Sequence, residues 1–223
     1  MFDYKEQISD GQWEIILQTM RKQEQLMHDI VRFYKYQGDK KINGALTEIK
    51  NNPNAEIEKE LKNIINALSN YMKNNPTKTT THVYRGEGYS VLNSIYLQDG
   101  RKLSDALKSA ITQEEIDDII MQVNSDLISK DYIATQERFM STAFFEYASF
   151  HKKPILWDIE VPAGTEGIFI EGLNKTGRCI DECEFLLQRN SFLRIMGIKY
   201  NNVTKRWDIK AQVLSPKNIE DIK

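Results

Sequence analysis

The feature that most limits how this chain can fold is a change of hydrophobic period along it. Ahead of residue 77 the apolar residues recur at helical spacing; beyond Pro154 they come in short runs separated by turns. Residues 11–36 form one amphipathic pattern, with Trp13, Ile16, Leu17, Met20, Met27, Ile30, Val31 and Tyr34 on a stripe, stopped by Gln37-Gly38-Asp39. A short helical piece follows from about Asn43 to Asn51. Pro53-Asn54 opens a second long helix through Ile57, Leu61, Ile64, Ile65, Leu68 and Met72, closed by Asn74-Asn75-Pro76. Apolar stripes of this kind face a core, so they read as packing rather than as a site. The polar run Thr77–Thr81 is the clearest boundary, followed by a short strand over His82–Gly86. Residues 89–111 read as short helices. Thr112-Gln113-Glu114-Glu115 is a capping box that opens a helix carrying Ile116, Ile119, Ile120, Val123 and Leu127. Phe144–Phe150 reads as a further short helix. Strands are expected over Ile155–Val161, Gly167–Ile170, Glu182–Leu187, Phe192–Met196 and Trp207–Leu214. Helices first and closely spaced strands afterwards imply an α+β fold. The expected division is a helical segment, 1–78, and a β-rich core, 79–223, in one compact unit.

Composition excludes several function classes. A net charge of −2 gives no general electrostatic grip on nucleic acid. No apolar run approaches the roughly 18 residues of a membrane span. The start lacks the basic-then-apolar layout of a signal peptide, so the expectation is a soluble protein working in a cytosol, exported by a route the sequence does not show, or stripped of a leader. Two cysteines, Cys179 and Cys183, make no disulfide framework, and with no nearby histidine they make a poor zinc site. Gly86-Glu87-Gly88 has no third glycine in dinucleotide spacing and reads as a turn.

The candidate chemistry lies in Asp181-Glu182-Cys183-Glu184-Phe185-Leu186-Leu187. On a strand, Glu182 and Glu184 project to one face about 7 Å apart, Leu186 continues that face inward, and Phe185 and Leu187 line the other. Two like charges at the mouth of an apolar strand are unfavourable unless they serve a purpose. Taken singly, Glu-x-Glu is more often a solvated strand end, and Arg85 before Gly86 is more often a surface arginine.

Tyr84-Arg85-Gly86, then Phe139-Met140-Ser141-Thr142-Ala143, then Glu182-Cys183-Glu184 stand in an order that resembles the Arg / Ser-Thr-Ser / Glu-x-Glu signature of bacterial mono-ADP-ribosyltransferase toxins. Val161–Gly167 resembles that family's turn between strands, and Glu184–Ser191 its glutamate strand and following hairpin. The resemblance covers about Val83 to Leu214. Ala143 stands where the pattern has serine, and the loop Gly172–Asp181 lacks the aromatic residue the family often places there.

The resemblance implies N-terminal helices packed on a mixed, mainly antiparallel, two-sheet β core. It implies NAD as substrate, no metal, and a target protein bearing an acceptor arginine, with the enzyme a monomer. By the same resemblance Glu184 stabilises the oxocarbenium-like ribose, and Glu182 orients and deprotonates the acceptor. Arg85 binds NAD through its planar fork, Ser141 holds the rotamer of Glu184, and Thr142 belongs with the NAD-binding residues in a chiefly structural part. The alternatives are a phage-encoded modifier of host proteins, an NAD glycohydrolase with water as acceptor, and a non-catalytic binding module of the same fold.

Overall fold

The computed structural model describes residues 24–127, 129–146, 152–170 and 183–214. Helix α1, residues 24–33, runs without a break through a π-helical turn, Tyr34–Gly38, into α2, Asp39–Asn51. The expected stop at Gly38 is therefore not a stop. The Asp39 N–H reaches back to the Tyr34 carbonyl, which widens the turn by one residue and carries the helix on. Gly38 is needed for a different reason: a Cβ there would lie 2.6 Å from the Phe33 ring and 2.8 Å from the Phe33 carbonyl oxygen. Helix α3, Lys59–Asn74, begins later than Pro53 suggests, after a turn and an extended stretch.

Two further helices, α4 (Leu103–Ser109) and α5 (Gln113–Asp126), follow strand β1 (Thr81–Glu87). The Thr112 capping box forms as expected: the Glu115 N–H donates to Thr112 Oγ1, and Glu115 accepts the Thr112 N–H. The remaining strands are β2 (Ile133–Gln136), β3 (Met140–Ala143), β4 (Ile155–Val161), β5 (Gly167–Phe169), β6 (Glu184–Leu187), β7 (Ser191–Asn201) and β8 (Arg206–Val213). Strand β2 has no counterpart in the sequence reading. Of the expected helix Phe144–Phe150, residues 147–150 lie outside the described residues.

The eight strands form one hydrogen-bonded sheet in the order β2-β7-β8-β4-β1-β3-β6-β5, antiparallel except for β4 with β8. The expected two-sheet character survives as a seam. Strands β1 and β4 pair along seven residues, whereas β1 and β3 meet at Tyr84↔Ala143 alone. The larger apolar core fills one side, under α4 and α5, around Trp157 and Trp207, with Phe185 and Leu187 of β6 inside it. Trp207 Nε1 donates to the Leu107 carbonyl, so even this deep indole is satisfied. The smaller core joins α1–α3 to the β3-β6-β5 half through Phe139, Ile168, Ile170 and Leu186. Leu186 and Phe185 thus fall on opposite faces, as the two-residue period of a strand requires. Gln188 and Arg189, in the turn after β6, donate to the carbonyl and hydroxyl of Ser69 and fix α3 to the sheet. No helix among the described residues is long and apolar enough to cross a membrane.

Candidate active site

The sheet order makes neighbours of three strands that are far apart in sequence. Strands β1, β3 and β6 lie side by side and carry Arg85, Ser141 and Glu184. Where the seam opens between β1 and β3, a cavity of about 370 Å³ forms under the helices. Its strand side is lined by Arg85, Gln136, Arg138, Phe139, Ser141 and Glu184. Its helix side is lined by Tyr34, Lys35, Asp39 and Asn43, from the π-turn and the first turns of α2.

Arg85 is held by three interactions. Its Nε donates to Glu87 Oε2 at 2.6 Å, its Nη2 to Glu87 Oε1 at 3.0 Å, and its Nη1 to the Ser141 carbonyl at 2.5 Å. The third bond crosses the seam and ties β1 to β3 beside their single register pair. Burial pulls against the charge of Arg85, but the hydrogen bonds and charge of Glu87 outweigh it, with Tyr34 and Glu184 adding, so the guanidinium is held above its ordinary range. Arg85 is therefore a rigid cation whose fork already grips a carboxylate.

Glu184 is 7% exposed at the start of β6. Its carboxylate faces Lys35 Nζ at 3.5 Å, and the Lys35 side chain is 4% exposed. The Ser141 hydroxyl bond to Glu184 that the resemblance implies is not among the described hydrogen bonds; Ser141 lines the same cavity, in register with Leu186. Thr142 does not line it. Its hydroxyl donates to the Phe185 carbonyl at 2.6 Å and locks β3 to β6 on the opposite face. Thr142 thus ties the two strands together.

Glu182 lies outside the described residues. Strand β6 begins at Glu184, and Cys183 before it has φ +43°, in the left-handed region. Tyr34 is buried edge-on against Phe139, with ring centroids 6.4 Å apart. Burial, and then the charge of Glu184, push its hydroxyl well above the ordinary tyrosine range, so it stays neutral in the cavity. No cluster of metal-ligating side chains occurs among the described residues.

Sequence reasoning missed Lys35, Asn43, Gln136, Arg138 and the pairing role of Glu87, and it assigned Tyr34 to a packing stripe. Only Glu87 had a signal. It stands two residues after Arg85, and residues i and i+2 of a strand share a face.

Comparison with known proteins agrees with this fold. No curated protein matches the chain. Among solved structures, C3stau2 from S. aureus, determined with NAD, superposes with a TM-score of 0.64 at 16% identity, covering 87% of each chain. The Clostridium limosum C3 exoenzyme gives 0.60 at 18% identity over 84% of each chain. C3larvin toxin, an ADP-ribosyltransferase from Paenibacillus larvae, gives 0.59 at 21% identity, covering 84% of this chain and 86% of that one. These likenesses establish the fold. The sequence profile described as "ADP-ribosyltransferase exoenzyme" matches residues 5–216, nearly the whole chain, and so the protein belongs to the ADP-ribosyltransferase exoenzyme family.

Proposed function

We propose that this protein transfers ADP-ribose from NAD to an arginine of a target protein and releases nicotinamide. The observation that carries the proposal is the convergence of Arg85, Ser141 and Glu184 from three adjacent strands on one cavity. In the reaction the bond between the ribose C1′ and the nicotinamide nitrogen breaks. Its electron pair stays with nicotinamide, and the ribose becomes oxocarbenium-like. Glu184, almost withdrawn from water, is a fixed negative charge suited to stabilise that centre. Arg85, clamped by Glu87 and the Ser141 carbonyl, holds the wall of the site rigid and presents positive charge to a ligand bearing a diphosphate. Tyr34, neutral and buried, offers a hydroxyl and an aromatic edge. The π-turn and α2, from the helical segment, cap this cavity over the β-rich core.

Glu182 is assigned the acceptor side. It takes a proton from the arginine guanidinium as a guanidinium nitrogen bonds to C1′, since the charged group is a poor nucleophile. The test uses NAD labelled in its adenosine half, with a cell lysate and, separately, with agmatine as a small arginine analogue. Mass spectrometry should place ADP-ribose on arginine, and agmatine should compete for the label. Glu182→Gln should lose transfer to agmatine yet keep substantial NAD hydrolysis, because water needs no positioned base to reach the oxocarbenium. Label on a residue other than arginine, or free ADP-ribose as the sole product, would overturn the acceptor assignment. Equal loss of transfer and hydrolysis in Glu182→Gln would remove the division of labour between the two glutamates.

A further inference from the structure

Lys35, Arg85 and Arg138 all line the cavity, and they are not equally engaged. Arg85 has Nε and Nη2 on Glu87 and Nη1 on the Ser141 carbonyl. Lys35 stands against Glu184 with its side chain 4% exposed. Arg138 is exposed at the rim, with no hydrogen bond or ion pair among the described residues. Its backbone is nevertheless held from both sides. Glu137, just before it, makes an ion pair with Lys50 near the end of α2 at 2.5 Å. Phe139, just after it, is buried in the smaller core, edge-on to Tyr34. The chain is fixed on each side of Arg138 while the guanidinium stays open to the cavity. Gln136, 9% exposed at the end of β2, lines the same wall, and its amide also has no hydrogen-bond partner among the described residues. An amide so far withdrawn from water is ordinarily paired.

We infer that Arg138 grips the diphosphate of NAD through a two-point contact of its guanidinium, with the Gln136 amide donating beside it. This rests on reading the cavity as the NAD site. A free guanidinium offers five N–H donors in a planar fork that matches phosphate oxygens. The fork of Arg85 is largely spent on Glu87 and Ser141, so Arg85 lends charge to the wall while Arg138 makes the contact. The cavity also holds the anions Asp39 and Glu184, so a diphosphate is admitted only where an unpaired cation outweighs them. The position along the chain fits. Arg138 stands five residues before Ala143, the register partner of Glu184. Five residues of extended chain cover at most about 16 Å, so Arg138 enters the cavity well away from the carboxylate and its long side chain reaches back toward it. In NAD the diphosphate is likewise set off from the reacting C1′ by the ribose. With that ribose at Glu184, the rest of the molecule runs through the cavity past Arg138.

The test compares wild type, Arg138→Gln, Arg138→Lys and Gln136→Met. Each is titrated calorimetrically with ADP-ribose and assayed for nicotinamide release from NAD and from nicotinamide riboside, which lacks the diphosphate. Arg138 is exposed and unpaired among the described residues, so its variants should keep the wild-type thermal midpoint. Arg138→Gln should weaken ADP-ribose about tenfold, the loss of a charged hydrogen-bonded contact. The ratio of kcat/KM for NAD to that for the riboside should fall by about the same factor. Arg138→Lys keeps the charge without the fork and should recover only part of the affinity. Gln136→Met should weaken ADP-ribose about threefold, the loss of one neutral hydrogen bond. Unchanged ADP-ribose affinity in Arg138→Gln, or equal losses of kcat/KM for NAD and riboside, overturns the assignment to the diphosphate. Full recovery in Arg138→Lys overturns the two-point contact, and unchanged affinity in Gln136→Met removes Gln136 from it. Wild type that neither binds ADP-ribose nor releases nicotinamide overturns the NAD site itself, a distinct result.

Discussion

Of the three carboxylates buried among the described residues, Asp126, Glu184 and Asp208, the first two are treated in opposite ways. Asp126, 1% exposed at the end of α5, accepts hydrogen bonds from Gln98 Nε2 on one oxygen and from the Tyr132 hydroxyl on the other. Lys130 covers the Tyr132 ring with its ammonium 4.9 Å from the centroid. Burial and the bond to Asp126 push the Tyr132 hydroxyl well above its ordinary range, so it remains a donor. Glu184, 7% exposed, instead borders a cavity and faces a cation at 3.5 Å. A buried carboxylate gripped at both oxygens by neutral donors secures structure; one that borders an open cavity is available for chemistry.

That contrast can be broken or sharpened by substitution. Glu184→Gln keeps the size of the side chain and removes its charge. Nicotinamide release should fall by about 10²–10³-fold or more, with the thermal midpoint close to wild type. A large drop in the midpoint would make Glu184 a structural carboxylate like Asp126. Arg85→Lys should act on both properties, because the fork spans the seam and also faces the ligand. Affinity for NAD should fall about tenfold and stability by about 1–3 kcal/mol, as Glu87 and the Ser141 carbonyl lose donors. Titration and urea unfolding of the same preparation separate the two effects. Asp126→Asn should show the reverse of Glu184→Gln: a stability loss of about 1–3 kcal/mol by urea unfolding, with NAD turnover per folded molecule unchanged.

The smallest effects belong at the α5 cap, remote from the cavity. Thr112→Ala should cost about 1 kcal/mol and leave turnover alone. Glu115 is held below the ordinary glutamate range by backbone hydrogen bonds from Thr112 and Ile111. A carboxylate depressed in the folded state adds stability that is fully present above its unfolded value and is lost as pH falls through its folded value. The stability gap between wild type and Glu115→Gln should therefore be widest near neutrality and shrink under acid; a gap independent of pH would remove the cap's ionic part.

Local signals in the sequence carried the α+β class and most strands. The alternation in Ile155–Val161 becomes β4, and the Thr112 box becomes the cap of α5. Three of the cavity's strand-side residues were likewise legible, because Arg85, Ser141 and Glu184 sit in short ordered motifs. What was hidden depends on tertiary contact. Gly38 looks like a helix stop until Phe33 is seen against it. Lys35 lies next to an apolar stripe, and nothing local brings it to a glutamate 149 positions later, the difference between 35 and 184. Strand β2 is short and made of Ile133-Ala134-Thr135-Gln136, too weak a pattern to stand out before β7 pairs with it. The start of β6 was misjudged because Cys183 takes a left-handed backbone that composition does not announce.

The most direct test of the account is release of nicotinamide from NAD by the folded wild-type protein, measured beside Glu184→Gln at the same NAD concentration and with target lysate present. The account predicts release proportional to wild-type protein, matched by ADP-ribose on protein, and reduced at least a hundredfold in the variant. Wild-type protein that is folded and binds NAD yet releases no nicotinamide, or a variant that releases it at the wild-type rate, would contradict the assignment of Glu184 and of this cavity as the catalytic centre.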